Sequence, residues 1–194
     1  FEVVAIVPNI PANQPGDGLI NLARVDYGLA SGGTAFVSDT ETITIVGPEL
    51  VATKTPSAAT GDAGDVITYT ISIAPDALAS TADAYGVVVT DALHPLLRLN
   101  AGSVTATLGG SAIGTIVTGN KAGDSTIRFT LDRLPDATAV PLLITYRATL
   151  LDTVRAGDTI PNTVDIAWRS APDNGAFPEA RGDATSASAS VGVA

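Results

Sequence analysis

The chain has 194 residues, with 20 acidic residues against 10 basic ones and a formal net charge of −10. It has no cysteine and one histidine. That excludes disulfides, thiolate nucleophiles, cysteine-ligated zinc or iron–sulfur clusters and a histidine-rich metal centre. The acidity argues against nucleic acid and anionic lipid, and no apolar run reaches the length of a membrane-spanning helix, so neither nucleic acid nor membrane insertion is expected. No cofactor is expected either.

Taken in chain order, residues 1–47 form a strand-rich stretch that Pro48 closes. Next, Leu50, Ala52 and Lys54 fall on one face of a strand. Ile67, Tyr69, Ile71 and Ile73 share a face, with Thr68, Thr70 and Ser72 on the other. Residues 76–84 have room for one helical turn and no sustained helical period. Val87, Val89 and Asp91 share a face. Strand-like runs follow at Ser103–Leu108, Ser111–Thr118, Ser125–Leu131, Val140–Leu150 and Ile160–Arg169. Glycine and proline clusters separate them, and Leu108-Gly-Gly-Ser111 reads as a tight hairpin, because paired glycines tolerate the positive φ of a primed turn. The pattern predicts an all-β, antiparallel, immunoglobulin-like sandwich.

The chain also repeats. At a shift of 141 residues, Gly16-Asp17 falls on Gly157-Asp158, Asn21 on Asn162, Val25 on Ile166 and Tyr27 on Trp168. Past a turn about four residues longer in the second copy, Ile45-Val46-Gly47 aligns with Ser190-Val191-Gly192. Residues 1–47 are therefore expected to be the last strands of a preceding repeat, and residues 48–194 a complete repeat. Without a starting methionine or a leader-like n-region and h-region, the sequence reads as a mature or excised piece of a longer array.

Three polar residues fall on inward faces. Lys54 shares one with Leu50 and Ala52, Asp91 with Val87 and Val89, and Asn162 with Val164, Ile166 and Trp168. Burying them is costly unless they meet. If they meet, desolvation neutralises the lysine to a nucleophilic amine, the asparagine carboxamide is an electrophile with ammonia as leaving group, and a buried aspartic acid can polarise the carbonyl and shuttle protons. The product is a Lys54–Asn162 isopeptide bond, with Asp91 as the assisting acid and base. Asn21 has no such partners in its own part of the chain, so it is expected to be unlinked or joined to another chain.

These residues sit in motifs that resemble the isopeptide-forming immunoglobulin-like domains of bacterial fimbrial and surface proteins, and the related conserved repeat of bacterial cell-surface proteins. The motifs are Val51-Ala52-Thr53-Lys54-Thr55-Pro56, the run Gly64 to Ile73, the run Val87 to Leu97, Tyr146-Arg147-Ala148-Thr149-Leu150, and the run Gly157 to Val164. They cover roughly residues 48–170. The resemblance implies an extracellular, cell-surface setting and assigns the lysine, aspartate and asparagine roles to Lys54, Asp91 and Asn162. One departure is His94, which separates Leu93 from Pro95 where the family has Leu-Pro directly.

Other residues read more simply. Lys121 belongs to a polar turn. His94 has no nucleophile near it in sequence and reads as a turn residue. Arg181-Gly182-Asp183 reads as turn chemistry in a loop. The acidic loops around Asp62, Asp65, Asp124, Asp132 and Asp136 lack calcium-loop spacing and read as solvated turns, and Trp168 reads as core. The expectation is a structural, non-enzymatic module of a stalk, fimbria, sheath or surface layer, whose partners are neighbouring repeats or subunits. Two alternatives stay open: an adhesin binding a host or glycan ligand, and a filament protomer assembled by strand donation through residues 1–47.

Overall fold

β-Branched residues alternating with small polar ones leave the backbone little choice but extended pairing, and the chain folds accordingly. In a computed structural model of the chain, which describes residues 16–78, 80, 82–136, 141–172 and 182–194, every regular element is a strand. Two strands, β1 (Gly18–Gly28) and β2 (Thr34–Thr44), pair only with each other. The rest build a two-sheet sandwich.

The first sheet contains β3 (Leu50–Pro56), β5 (Val66–Pro75), β12 (Leu142–Leu150), β8 (Thr105–Leu108) and β9 (Ser111–Ala112) in that spatial order, with β7 (Leu97–Leu99) also on β12. The second runs β10 (Thr115–Thr118), β11 (Thr126–Leu134), β6 (Ala84–Ala92), β13 (Thr159–Arg169), β14 (Gly182–Val193) and β4 (Thr60–Gly61). All pairings are antiparallel except the short parallel pairing of β4 with β14. Each sheet turns one side-chain row inward, as period-two alternation demands. Ile67, Ile71 and Ile73 of β5 meet Val87 and Val89 of β6, Phe129 of β11, and Val164 and Ile166 of β13 in one buried core.

The expected single strand Ser111–Thr118 is in fact two. β9 pairs with β8 in the first sheet, and β10 pairs with β11 in the second. The chain changes sheets at Gly114, whose φ is +72°. A side chain there would strike the Phe129 ring and the Thr130 carbonyl oxygen, so the corner depends on glycine. Where one helical turn was expected, the Ser80 amide donates to the Asp76 carbonyl at 2.8 Å, an α-turn bond. Of the surface tripeptide, Arg181 lies outside the described residues, while Gly182 and Asp183 open β14 opposite Arg169 and Trp168 and so are strand, not loop.

His94 acts as a turn residue: its Nδ1 accepts the Leu96 amide at 3.2 Å and its carbonyl the Leu97 amide at 2.8 Å. Asp124 closes the loop around Lys121 by accepting the amides of Gly119 at 2.8 Å and Lys121 at 3.0 Å, and these bonds hold its carboxyl below the usual range. Trp168 lies in the core and donates its indole N–H to the Pro48 carbonyl at 3.0 Å, fixing the segment that joins β2 to β3.

Candidate functional site

The described residues that are both polar and buried are Lys54, Asp91 and Asn162, at 5%, 0% and 1% exposure. Strand register explains each. On β3, Lys54 stands opposite Ile71 of β5, in the inward row of Leu50. On β6, Asp91 stands between Ile127 of β11 and Val164 of β13. On β13, Asn162 precedes Val164 by two residues, so it occupies the next inward position beside Asp91. The first sheet supplies the lysine and the second supplies the aspartate and asparagine, so the cluster spans the interior between the sheets.

Lys54 Nζ donates to Asp91 Oδ2 at 2.6 Å, with neither side chain exposed. Asn162 does not touch Asp91 directly in the hydrogen-bond pattern. Tyr146 of β12 links them: its hydroxyl donates to Asp91 Oδ2 at 2.7 Å and accepts from Asn162 Nδ2 at 2.7 Å. Tyr69, opposite Tyr146 in the β5–β12 register, stacks on it with ring centroids 5.3 Å apart. The Lys54 ammonium lies 5.4 Å and 5.7 Å from these two ring centroids, within range of the rings' negative faces. The sequence reading did not assign either tyrosine to the site. Their signal was present, since a tyrosine on an otherwise apolar inward face must find a partner for its hydroxyl.

Burial works against the charged forms here. Burial pushes the Lys54 amine below its ordinary range, against the opposing pull of the Asp91 charge. Burial pushes the Asp91 carboxyl up, against the pull of Lys54 and the Tyr146 hydroxyl. Burial also raises the tyrosines, Tyr69 to about 12 and Tyr146 further, helped by the nearby Asp91 charge. Both members of the Lys54–Asp91 pair thus move toward a proton shared or passed from amine to carboxyl. Among the described residues, Asp91 Oδ1 and Asn162 Oδ1 are buried without a hydrogen-bond partner. Buried groups normally find partners. Here the leftovers include the carboxyl oxygen able to carry a proton and the carbonyl oxygen that a proton would polarise.

The sandwich matches solved structures of bacterial pilins. The major pilin subunit BcpA of Bacillus cereus superposes with a TM-score of 0.55 at 14% identity, over 88% of this chain and 47% of that one. The chain shares its fold with major pilins. The pilus backbone of Streptococcus pneumoniae matches with a TM-score of 0.52 at 19% identity, over 64% of this chain and 32% of that one. A 35 kDa C-terminal fragment of the major pilin of Streptococcus agalactiae matches at 0.51 and 17%, over 75% and 56%. The chain therefore spans about half or less of the pilins it matches. No protein-family model matches the sequence, and no curated protein sequence does. At these identities the likeness is one of fold, the immunoglobulin-like sandwich expected from the sequence.

Proposed function

We propose that this chain is a load-bearing module of an extracellular bacterial surface assembly, such as a pilus, stalk, sheath or surface layer, locked by a Lys54–Asn162 isopeptide bond that Asp91 assists. The observation that carries the reading is the fully buried 2.6 Å contact between Lys54 and Asp91, joined to Asn162 through one tyrosine hydroxyl. A core that wanted only stability would place apolar side chains there, because buried ion pairs are often no better than hydrophobic replacements. The pilin fold of the sandwich adds support for the surface setting and for neighbouring subunits as partners.

The chemistry balances within the cluster. The ammonium passes one proton to Asp91, leaving a neutral amine and a neutral acid. The amine attacks Asn162 Cγ while the acid hydrogen-bonds the carboxamide oxygen and stabilises the developing charge. As the Cγ–Nδ2 bond breaks, the acid protonates the departing nitrogen and recovers a proton from the attacking one. An Nζ–Cγ bond has formed, ammonia has left, and Asp91 ends protonated. This is a single event without turnover. It joins the two sheets and closes a loop of about 100 residues, worth about 4–5 kcal/mol by the loop-closure account used for disulfides.

Peptide mapping tests the reading. Tryptic cleavage after Arg24, Arg98, Arg155 and Arg169 should release residues 25–98 and 156–169 as one branched species, uncut at Lys54. Separate linear peptides 25–54, 55–98 and 156–169 would contradict it.

A further inference from the structure

The second sheet carries a β-bulge in one of its inner strands. β6 lies between β11 and β13, and its register against β13 slips: Ala167 stands opposite Val88, but Arg169 stands opposite Tyr85. Gly86 and Val87 of β6 therefore face the single Trp168, and Gly86 takes a φ of +54°, which favours glycine. The bulge re-aims Tyr85. Val89 and Val87 point inward, so strict alternation would send Tyr85 inward too. With the extra residue, Ala84 takes the inward place at 1% exposure, and Tyr85 turns to the outer face, half-buried. β11 stays in register with β6 and follows the bend, so Asp132 and Arg133 both turn outward between buried Leu131 and Leu134.

The bend leaves a notch of about 270 Å³, lined by Tyr85, Gly86, Asp132, Arg169, Ala171 and Pro172. Small-molecule sites start at about 300 Å³, so this one has room for a single small ring. Gly86 contributes bare backbone, with open space where a side chain would stand. Asp83 fixes one flank. The Tyr85 hydroxyl lies 3.5 Å from Asp83 Oδ2, which also accepts from Arg133 Nε at 2.6 Å, while Asp83 Oδ1 accepts the Asp136 amide at 2.9 Å. Arg133 is thereby drawn to Asp83, and Asp132 and Arg169 are the charged residues that line the notch.

We propose that this notch binds one neutral hexose residue of a glycan, a binding function separate from the cross-link. A sugar ring presents an apolar C–H face and a rim of hydroxyls. Tyr85, Ala171 and Pro172 supply apolar surface for the first. For the second, the Asp132 carboxylate accepts from hydroxyls and the Arg169 guanidinium donates through its fork of N–H groups. The two charges cancel, which suits a neutral ligand, and the net charge of −10 disfavours acidic sugars. The bulge itself argues for a ligand. Bulges gather at sheet edges, barrel rims and binding sites, and β6 is neither edge nor rim. A sheet built for stiffness alone would keep β6 regular and leave Tyr85 in the core. The notch lies on the outer face of the second sheet, whereas Lys54, Asp91 and Asn162 lie between the sheets, so this reading stands whether or not the isopeptide bond forms.

The test is a nuclear magnetic resonance titration of the isotope-labelled chain with the methyl glycosides of glucose, galactose, mannose and N-acetylglucosamine at millimolar concentration. At least one should shift the amide signals of Tyr85, Gly86 and Asp132 saturably and leave those of Lys54 and Asn162 in place. Asp132→Ala, at an exposed position, removes the charged acceptor. It should weaken binding about tenfold or more, as expected for one hydrogen bond to a charged group. Gly86→Asn fills the notch with a side chain that tolerates positive φ, and should abolish the shifts while circular dichroism stays that of the parent. If Gly86→Asn does not fold, Asp132→Ala decides alone. Glucuronic acid should bind more weakly than methyl glucoside. The proposal is overturned if no glycoside shifts these amides, or if Asp132→Ala binds as tightly as the parent. Tighter binding of glucuronic acid overturns the neutral ligand, and shifts produced by free glycine but by no glycoside overturn the sugar.

Discussion

Lys54 and Asp91 meet at 2.6 Å between two β-sheets, with no water reaching either side chain. The contact explains why a chain with only two lysines places one of them in its core. In water the pair would gain little. In the interior, desolvation lowers the amine and raises the acid, the direction that the proposed proton transfer requires.

Replacing Lys54 with Met removes the nucleophile and leaves Asp91 buried without a counter-charge. The variant loses the cross-link, worth about 4–5 kcal/mol by the loop-closure account. Its stability should depend on pH. Burial already holds the Asp91 carboxyl above its usual range, and the strongest opposing influence, Lys54, is gone. The folded state then keeps the proton to higher pH than the unfolded state, so stability falls as pH rises from the ordinary carboxylate value, about 4, through the raised folded value. The urea midpoint should be higher at pH 5 than at pH 7.5, and the Lys54→Met/Asp91→Asn double variant should lose that excess. Equal pH dependence in the two would contradict the assignment.

Tyr146→Phe keeps the stacked ring and deletes the hydroxyl that bridges Asp91 and Asn162. The carboxamide loses its hydrogen bond to the Tyr146 hydroxyl and Asp91 loses a donor. Losing one such hydrogen bond, at about 1–1.5 kcal/mol, corresponds to roughly tenfold in rate. The fraction of linked chain at a fixed time after synthesis, read by mass, should fall accordingly, while circular dichroism stays that of the parent. Unchanged linking would reduce Tyr146 to a packing residue.

Asp91→Asn preserves shape and removes the proton carrier. The chain should keep its full sequence mass and fold with lower thermal stability than the parent. A linked Asp91→Asn chain would show that the carboxyl is dispensable.

The sandwich and the polar cluster were legible in the sequence because alternation has a strict period of two. Once Val87 and Val89 face inward, Asp91 must follow, and the same holds for Lys54 after Leu50 and Ala52 and for Asn162 before Val164. The tyrosines were harder, because on an inward row Tyr69 and Tyr146 look like core. Only the cross-strand register reveals that their rings stack and that one hydroxyl lies between two of the polar groups. The sheet change at Gly114 was also hidden. Local pattern carries no record of which sheet a strand joins, and the crowding of Phe129 against that glycine is a long-range contact.

That corner gives a prediction independent of the chemistry. Gly114→Ala places a methyl group against the Phe129 ring at a φ of +72°, combining backbone strain with a clash. Gly110→Ala, at φ +81° with open space around it, incurs strain alone. The first should cost clearly more than the ~1–3 kcal/mol expected from strain by itself, visible as a larger drop in urea midpoint. Equal drops would mean that the corner relaxes.

The most direct measurement of the central claim is the intact mass of the purified chain. An isopeptide bond between Lys54 and Asn162 releases one ammonia, so the mass should fall about 17 Da short of the sequence value, and Lys54→Met and Asn162→Ala should each restore their full sequence masses. A parent chain at its full sequence mass would contradict the account.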